Sequence, residues 1–139
     1  MGEGNAYCNF GKTYQHKGDY PKALQYHSKA LELFRRLDDR AGEGKAYCNL
    51  GLVCQSGGEY QKAIDYHKKD LEITEALGDP AGEGQAYLNL GLAHNSLGQY
   101  QRALQCYQEA LKRFDRLEGI GEKGYAHTGL GDVYLSAKQ

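Results

Sequence analysis

The sequence lacks a net charge, a long apolar run and a secretory leader pattern, and each absence excludes a class of protein. Its 17 basic and 18 acidic side chains nearly cancel, so no field over the whole chain attracts nucleic acid or anionic lipid. It contains no apolar run of about 18 residues, and no charged start followed by an apolar core and a cleavage site. We therefore expect a cytoplasmic protein with neither a nucleic-acid nor a membrane partner.

A unit of 40 residues repeats along the chain. Residues 42–51 read GEGKAYCNLG, residues 2–11 read GEGNAYCNFG, and residues 82–91 read GEGQAYLNLG. A fixed period between about 20 and 50 residues is typical of a solenoid, in which each unit buries its apolar face against its neighbours. We expect one array over residues 1–139, with repeats at about 2–41, 42–81 and 82–121 and a half repeat at 122–139.

Each full repeat predicts two helices, helix A followed by helix B. In the first repeat, helix A carries an apolar stripe at helical spacing, which consists of Ala6, Tyr7, Phe10, Gly11 and Tyr14. We expect helix A to end at Gly18, Gly58 and Gly98, where glycine can adopt a positive φ. Helix B then follows Asp19, a suitable N-cap, with Pro21 in its first turn.

A glycine lies in the middle of every helix A, at positions 11, 51, 91 and 131. Glycine there costs about 1 kcal/mol relative to alanine, so a close approach of helix B is expected to require it. The expected contacts are the small residues one turn into helix B, namely Ala23, Ala63 and Ala103. After the third repeat only a helix A pattern follows, and we interpret the chain as a piece of a longer array with this last helix as its cap.

The sequence also lacks residue sets for catalysis or metal binding. It offers no nucleophile with a base and an orienting group, so no enzyme activity and no cofactor are expected. His27 and His67 lie one repeat apart and cannot easily share a zinc ion, whose ligands lie about 2.0–2.1 Å from it. Cys8 and Cys48 are also equivalent positions, about 10 Å apart and beyond disulfide reach, so the cysteines are expected to be reduced and buried.

One set of positions in the second repeat resembles the tetratricopeptide repeat: Tyr47, Leu50, Gly51, Gly58, Tyr60 and Ala63. Asp70 departs from this pattern because Ala30 and Ala110 keep a small side chain there. The period of 40 exceeds the usual 34 or so. In its repeat length and its Asn-Leu-Gly motif, the chain resembles the Leu-Gly-Asn repeat group, which includes G-protein signalling modulators and spindle-orientation adaptors. The resemblance implies an all-α, right-handed α-solenoid of antiparallel helix pairs, with three and a half repeats and seven helices.

The resemblance further implies that the A helices line the concave side of the stack. Their residues outside the stripe that faces helix B would then form a peptide-binding groove. They are Asn5, Asn9, Lys12, Gln15 and His16 in the first repeat, Lys45, Asn49, Leu52 and Gln55 in the second, and Gln85, Asn89, Leu92 and Asn95 in the third.

The amides of Asn9, Asn49 and Asn89 form a ladder with two open interpretations. They can pair with the backbone of a bound peptide, or they can bond a neighbouring helix and support the superhelix. We expect a scaffold or adaptor that binds a peptide segment of a protein partner. The alternative is a self-associating or spacer fragment, a homo-oligomer whose exposed array ends pair between chains.

Overall fold

The computed structural model describes residues 2–117, which contain six α-helices and no strand. The helices are α1 Gly2–His16, α2 Tyr20–Arg36, α3 Arg40–Ser56, α4 Tyr60–Leu77, α5 Pro80–Ser96 and α6 Tyr100–Leu117. Only two or three residues separate consecutive helices, so neighbours in sequence run antiparallel. The predicted all-α architecture of helix pairs is confirmed for this range. The predicted seventh helix and the cap at 122–139 lie outside the described residues, and the assignment of residues 1–139 to one array stays a prediction.

The helices stack in chain order. Helices α1, α3 and α5 are the A helices, and each packs on the B helix that follows it, α2, α4 or α6. Helices α2 and α4 also pack on the next A helix, and α1 contacts α3 directly. Between the first two repeats, Leu24 and Leu31 of α2 pack against Tyr47 and Leu50 of α3. The apolar stripe of α3 is therefore covered by the preceding repeat as well as by its own B helix.

The helix ends follow the local sequence. Asp39 and Asp79 precede α3 and α5, and each accepts a hydrogen bond from the backbone N–H of the glycine three residues later, at 2.9 and 3.1 Å. Such capping satisfies N–H groups that have no partner inside the helix. The glycines that follow the A helices have positive φ, +81° at Gly18, +80° at Gly58 and +77° at Gly98, as predicted.

The glycine in the middle of each A helix lies against a ring of helix B, which corrects the expected contact. A Cβ built at these glycines would lie 2.5 Å from the His27 ring at Gly11, 2.5 Å from the His67 ring at Gly51, and 2.6 Å from the Tyr107 ring at Gly91. The close approach is as predicted. Its nearest partners are rings one turn beyond the expected alanines, because a flat ring fills the space that the missing side chain leaves.

Candidate functional site

The predicted groove residues lie at three levels of exposure on the A helices. Exposed side chains are Asn5, Asn9, Lys12, His16, Lys45 and Gln85. Half-buried side chains are Gln15, Leu52, Gln55, Leu92 and Asn95. Only Asn49 and Asn89 are buried, with 7% and 3% of their surface exposed. Eleven of these thirteen residues are therefore at least partly accessible on one set of helices.

The two buried amides lie between neighbouring A helices. The Nδ2 group of Asn89 donates a hydrogen bond to Sγ of Cys48, at 3.5 Å. Asn49 takes the same place beside Cys8, whose thiol has a raised pKa because of burial, an effect that Lys45 and Asn49 partly oppose. Asn9 has no described helix before it and is exposed. The contact of Asn89 favours a supporting role for that residue, whereas the buried Nδ2 group of Asn49 has no hydrogen-bond partner among the described residues. A ligand contact of the ladder stays a prediction.

A cavity of about 250 Å³ opens between α3 and α5, with α4 as its floor. It brings together Lys45, Asn49 and Gln85 of the predicted groove with a residue that sequence reasoning missed as a site, Asp70 of α4. The alanines at the equivalent positions 30 and 110 were the available signal. They were interpreted only as a difference in packing.

The electrostatics of this cavity depend on Asp70. Burial, and secondarily the charge of Asp79, raises the pKa of the Asp70 carboxyl to about 7. Burial, together with the Asp70 charge, raises the pKa of the Cys48 thiol to about 12. Near neutral pH the thiol is thus protonated, and Asp70 is the group in this cavity that can change its charge.

A second crevice, of about 500 Å³, lies between α1 and α3. Its lining includes Asn5 and Lys45 of the predicted groove together with Phe34 and Leu37 of the first repeat. Lys45 therefore lies at both openings. The structure thus gives the A-helix surface two adjacent depressions that share a basic side chain.

The remaining sequence expectations concern metals, cysteines and membranes. Within residues 2–117, no group of three or more histidine, cysteine or acidic side chains could hold a metal ion. His27 and His67 are fully buried, and burial lowers the pKa of each imidazole to about 4. All four cysteines are free; Cys8 and Cys54 are buried as predicted, but Cys48 and Cys106 are only half-buried. None of the described helices combines the length and the hydrophobicity that a bilayer crossing requires.

Comparison with solved structures identifies the same architecture in other proteins. The tetratricopeptide repeat domain of Arabidopsis FLU is 30% identical and aligns over 82% of this chain and 96% of its own length, with a TM-score of 0.75. BtubC from P. vanneervenii is 20% identical over 97% of this chain, with a TM-score of 0.85, and this chain spans 56% of its length. A signal transduction ATPase with numerous domains from Pyrococcus horikoshii, which has a tetratricopeptide repeat sensor, is 24% identical over 97% of this chain and 21% of its own, with a TM-score of 0.87.

The stacked helix pairs and their open A-helix surface define a helical repeat protein. The sequence profile of the tetratricopeptide repeat matches residues 2–76, and a second profile of the same repeat matches residues 84–115. The chain belongs to the tetratricopeptide repeat family. Proteins of this family are generally non-enzymatic scaffolds that mediate protein–protein interactions. A search of curated protein sequences finds no match.

Proposed function

We propose that this chain is an adaptor that binds a peptide segment of a protein partner along the surface of α1, α3 and α5. The observation that carries the proposal is the pair of adjacent crevices between these helices, with Lys45 at the opening of both. Partly apolar depressions with a few polar groups suit an extended or helical peptide. The polar side chains would set the register, and the half-buried Leu52 would contact an apolar ligand residue, whereas Leu92 packs against the core between α5 and α6.

Two amide oxygens of the predicted groove also support this surface. The side-chain oxygens of Gln55 and Asn95 are buried and have no hydrogen-bond partner among the described residues. They occupy the same position in successive repeats. A buried acceptor without a partner is unfavourable, so rotation of these half-buried side chains towards donors of a bound segment would stabilise the complex.

The proposal is tested with peptides selected from a random displayed library on the immobilised protein, whose affinities are then measured by fluorescence anisotropy. Lys45→Glu should change the affinity about fivefold or more, lowering it for an acidic peptide and raising it for a basic one, because it reverses a charge at both crevices. Lys68→Glu is the matched control, since Lys68 is an exposed residue of α4, a B helix. Equal affinities for the two variants would contradict binding along the A helices.

The repeat length carries a narrower proposal. The 40-residue period and the Asn-Leu-Gly of residues 49–51 suggest membership of the Leu-Gly-Asn group of cytoplasmic adaptors. Peptides from partners of that group should then compete with the selected peptides. Failure to compete would argue against this group and would leave the general adaptor function in place.

A second candidate function is self-association through the first repeat. Phe10 is 54% exposed, although the equivalent Leu50 and Leu90 are only 1% and 4% exposed. The Phe10 ring stacks on Tyr26, with 5.3 Å between ring centroids, and this leaves one apolar face open. Light scattering over a concentration series tests the candidate. A rising mass that Phe10→Ser abolishes would support it, and a monomer at every concentration would eliminate it.

A further inference from the structure

The second repeat differs from its neighbours at two positions one turn apart on its B helix. Asp70 replaces the alanine found at positions 30 and 110. Thr74 replaces the phenylalanine found at positions 34 and 114. In the first and third repeats these positions are buried apolar residues, with Ala30 and Ala110 at 0% exposure and Phe34 and Phe114 at 4% and 1%.

The two differences together shape the inner part of the cavity between α3 and α5, because the equivalent crevice of the first repeat is lined by Phe34. In the other repeats the phenylalanine ring covers a helix A glycine, since a Cβ at Gly4 would lie 2.5 Å from Phe34 and one at Gly84 would lie 2.6 Å from Phe114. At Gly44 the nearest atom to a built Cβ is instead Oδ1 of Asp70, at 3.1 Å. The shorter Thr74 leaves the ring's space open, and the carboxyl group lies beside it.

Asp70 has no partner in this cavity. Asp70 is 6% exposed. Its carboxyl group makes neither a hydrogen bond nor an ion pair with the described residues. The Thr74 hydroxyl, which could have donated to it, donates at 3.0 Å to the Leu71 carbonyl oxygen of its own helix. A nearly buried carboxyl group without a donor is costly and creates a preference for a ligand that supplies one.

The charged and titratable groups around Asp70 favour a cation as that ligand. From α3 the cavity is lined by Lys45, which is exposed, and by the Cys48 thiol, and from the start of α5 by Asp79. The Asp79 charge raises the pKa of Asp70, and Lys45 is not among the groups that alter it. Asp79 and Lys45 are both exposed and carry opposite charges, so the buried part of the cavity holds, among the described residues, the Asp70 carboxyl group and no basic group.

We propose that this cavity binds the cationic side chain of an arginine or lysine in the partner segment, with the Asp70 carboxylate as its counter-ion. The inference rests on the proposed adaptor function and specifies the chemistry of one anchor. Ile73 and Leu77 also line the cavity, and they would contact the aliphatic stem while the charged head reaches Asp70. A guanidinium fits best, because its planar fork can donate two hydrogen bonds to one carboxylate.

The test is a titration of the full chain with N-acetyl-arginine amide. The NMR signals of the Ile73 and Leu77 methyl groups report binding. The neutral analogue N-acetyl-citrulline amide has nearly the same shape and is the matched control ligand. Asp70→Ala removes the counter-ion and Thr74→Phe fills the cavity. Both variants install the residue that the first and third repeats already have at that position, so the fold can accept them, and circular dichroism checks that it does.

The arginine probe should shift both methyl signals at pH 8, and its affinity should be about tenfold weaker at pH 6, because the pKa of Asp70 is raised to about 7. The affinity of the arginine probe for Asp70→Ala and for Thr74→Phe should be about tenfold or more below its affinity for the wild type. The citrulline probe should bind the wild type equally weakly. Equal binding by Asp70→Ala, equal binding of the citrulline probe, or unshifted methyl signals at pH 8 would overturn the proposal.

The anchor and the adaptor function can fail separately. Suppose that selected peptides bind the wild type but tolerate replacement of every arginine and lysine by glutamine. The A-helix surface would then be a binding site without this anchor, and the inference would be wrong. If no peptide is selected while the arginine probe still binds the wild type and not Asp70→Ala, the cation site stands and the adaptor function fails.

Discussion

At the scale of single residues, one buried carboxyl group is predicted to lower the stability of the protein. The pKa of Asp70 is raised from 3.8 to about 7 in the folded state, so the folded protein binds its proton more tightly than the unfolded chain does. The favourable contribution of this proton is complete below pH 3.8 and is lost as the pH rises through 7. Asp70 therefore costs stability at neutral and alkaline pH.

Asp70→Ala should consequently stabilise the protein by about 2–4 kcal/mol at pH 8, and the gain should vanish near pH 4. Urea denaturation at the two pH values measures the difference. Asp70→Asn is the control for shape, because it removes the charge and keeps the size of the side chain. A variant that is less stable than the wild type at pH 8 would show that the carboxylate has a stabilising partner.

At the scale of helices, the glycines in the A helices allow a ring of the B helix to pack closely. Gly51→Ala should destabilise the protein by about 1–3 kcal/mol, because its Cβ would lie 2.5 Å from the buried His67 ring. This range is the net loss after the gain in helix propensity of about 1 kcal/mol. Thermal unfolding followed by circular dichroism measures the change.

Gly57→Ala is the control for that substitution. Gly57 ends α3 with φ of −84°, and the nearest atom to its built Cβ is 3.4 Å away. Its effect should therefore stay within about 0.5 kcal/mol. Equal losses for the two variants would mean that the backbone, and not the ring contact, sets the cost at Gly51.

The sequence predicts the helices better than their contacts. The 40-residue period, the capping aspartates and the positive-φ glycines depend on local geometry, so they could be read from the chain. The burial of Asn89 could not be predicted from the sequence, since its contact with Cys48 joins residues 41 positions apart. The inner part of the cavity depends on two residues together, because Asp70 lies next to the space that Thr74 leaves where the other repeats have phenylalanine.

At the scale of the whole molecule, stability against pH is a sum of opposing contributions. Burial lowers the pKa of both His27 and His67 from 6.5 to about 4. The unfolded chain therefore binds more protons at these two groups, and stability is lost as the pH falls from 6.5 towards 4. Asp70 has the opposite effect: its contribution to stability increases as the pH falls from about 7 to 3.8. Because two histidines oppose one carboxyl group, the stability of the protein rises as the pH rises to 6.5. It then falls slightly up to pH 7.

The wild type should therefore be most stable near pH 6.5 and lose roughly 2–3 kcal/mol by pH 4. His67→Tyr installs the ring that the third repeat has as Tyr107, which already packs against a helix A glycine. With one histidine left to oppose Asp70, the stability of this variant should be nearly constant from pH 4 to 6.5. Urea denaturation across this range measures both profiles. A variant profile as steep as that of the wild type would place the acid sensitivity in groups other than the buried histidines.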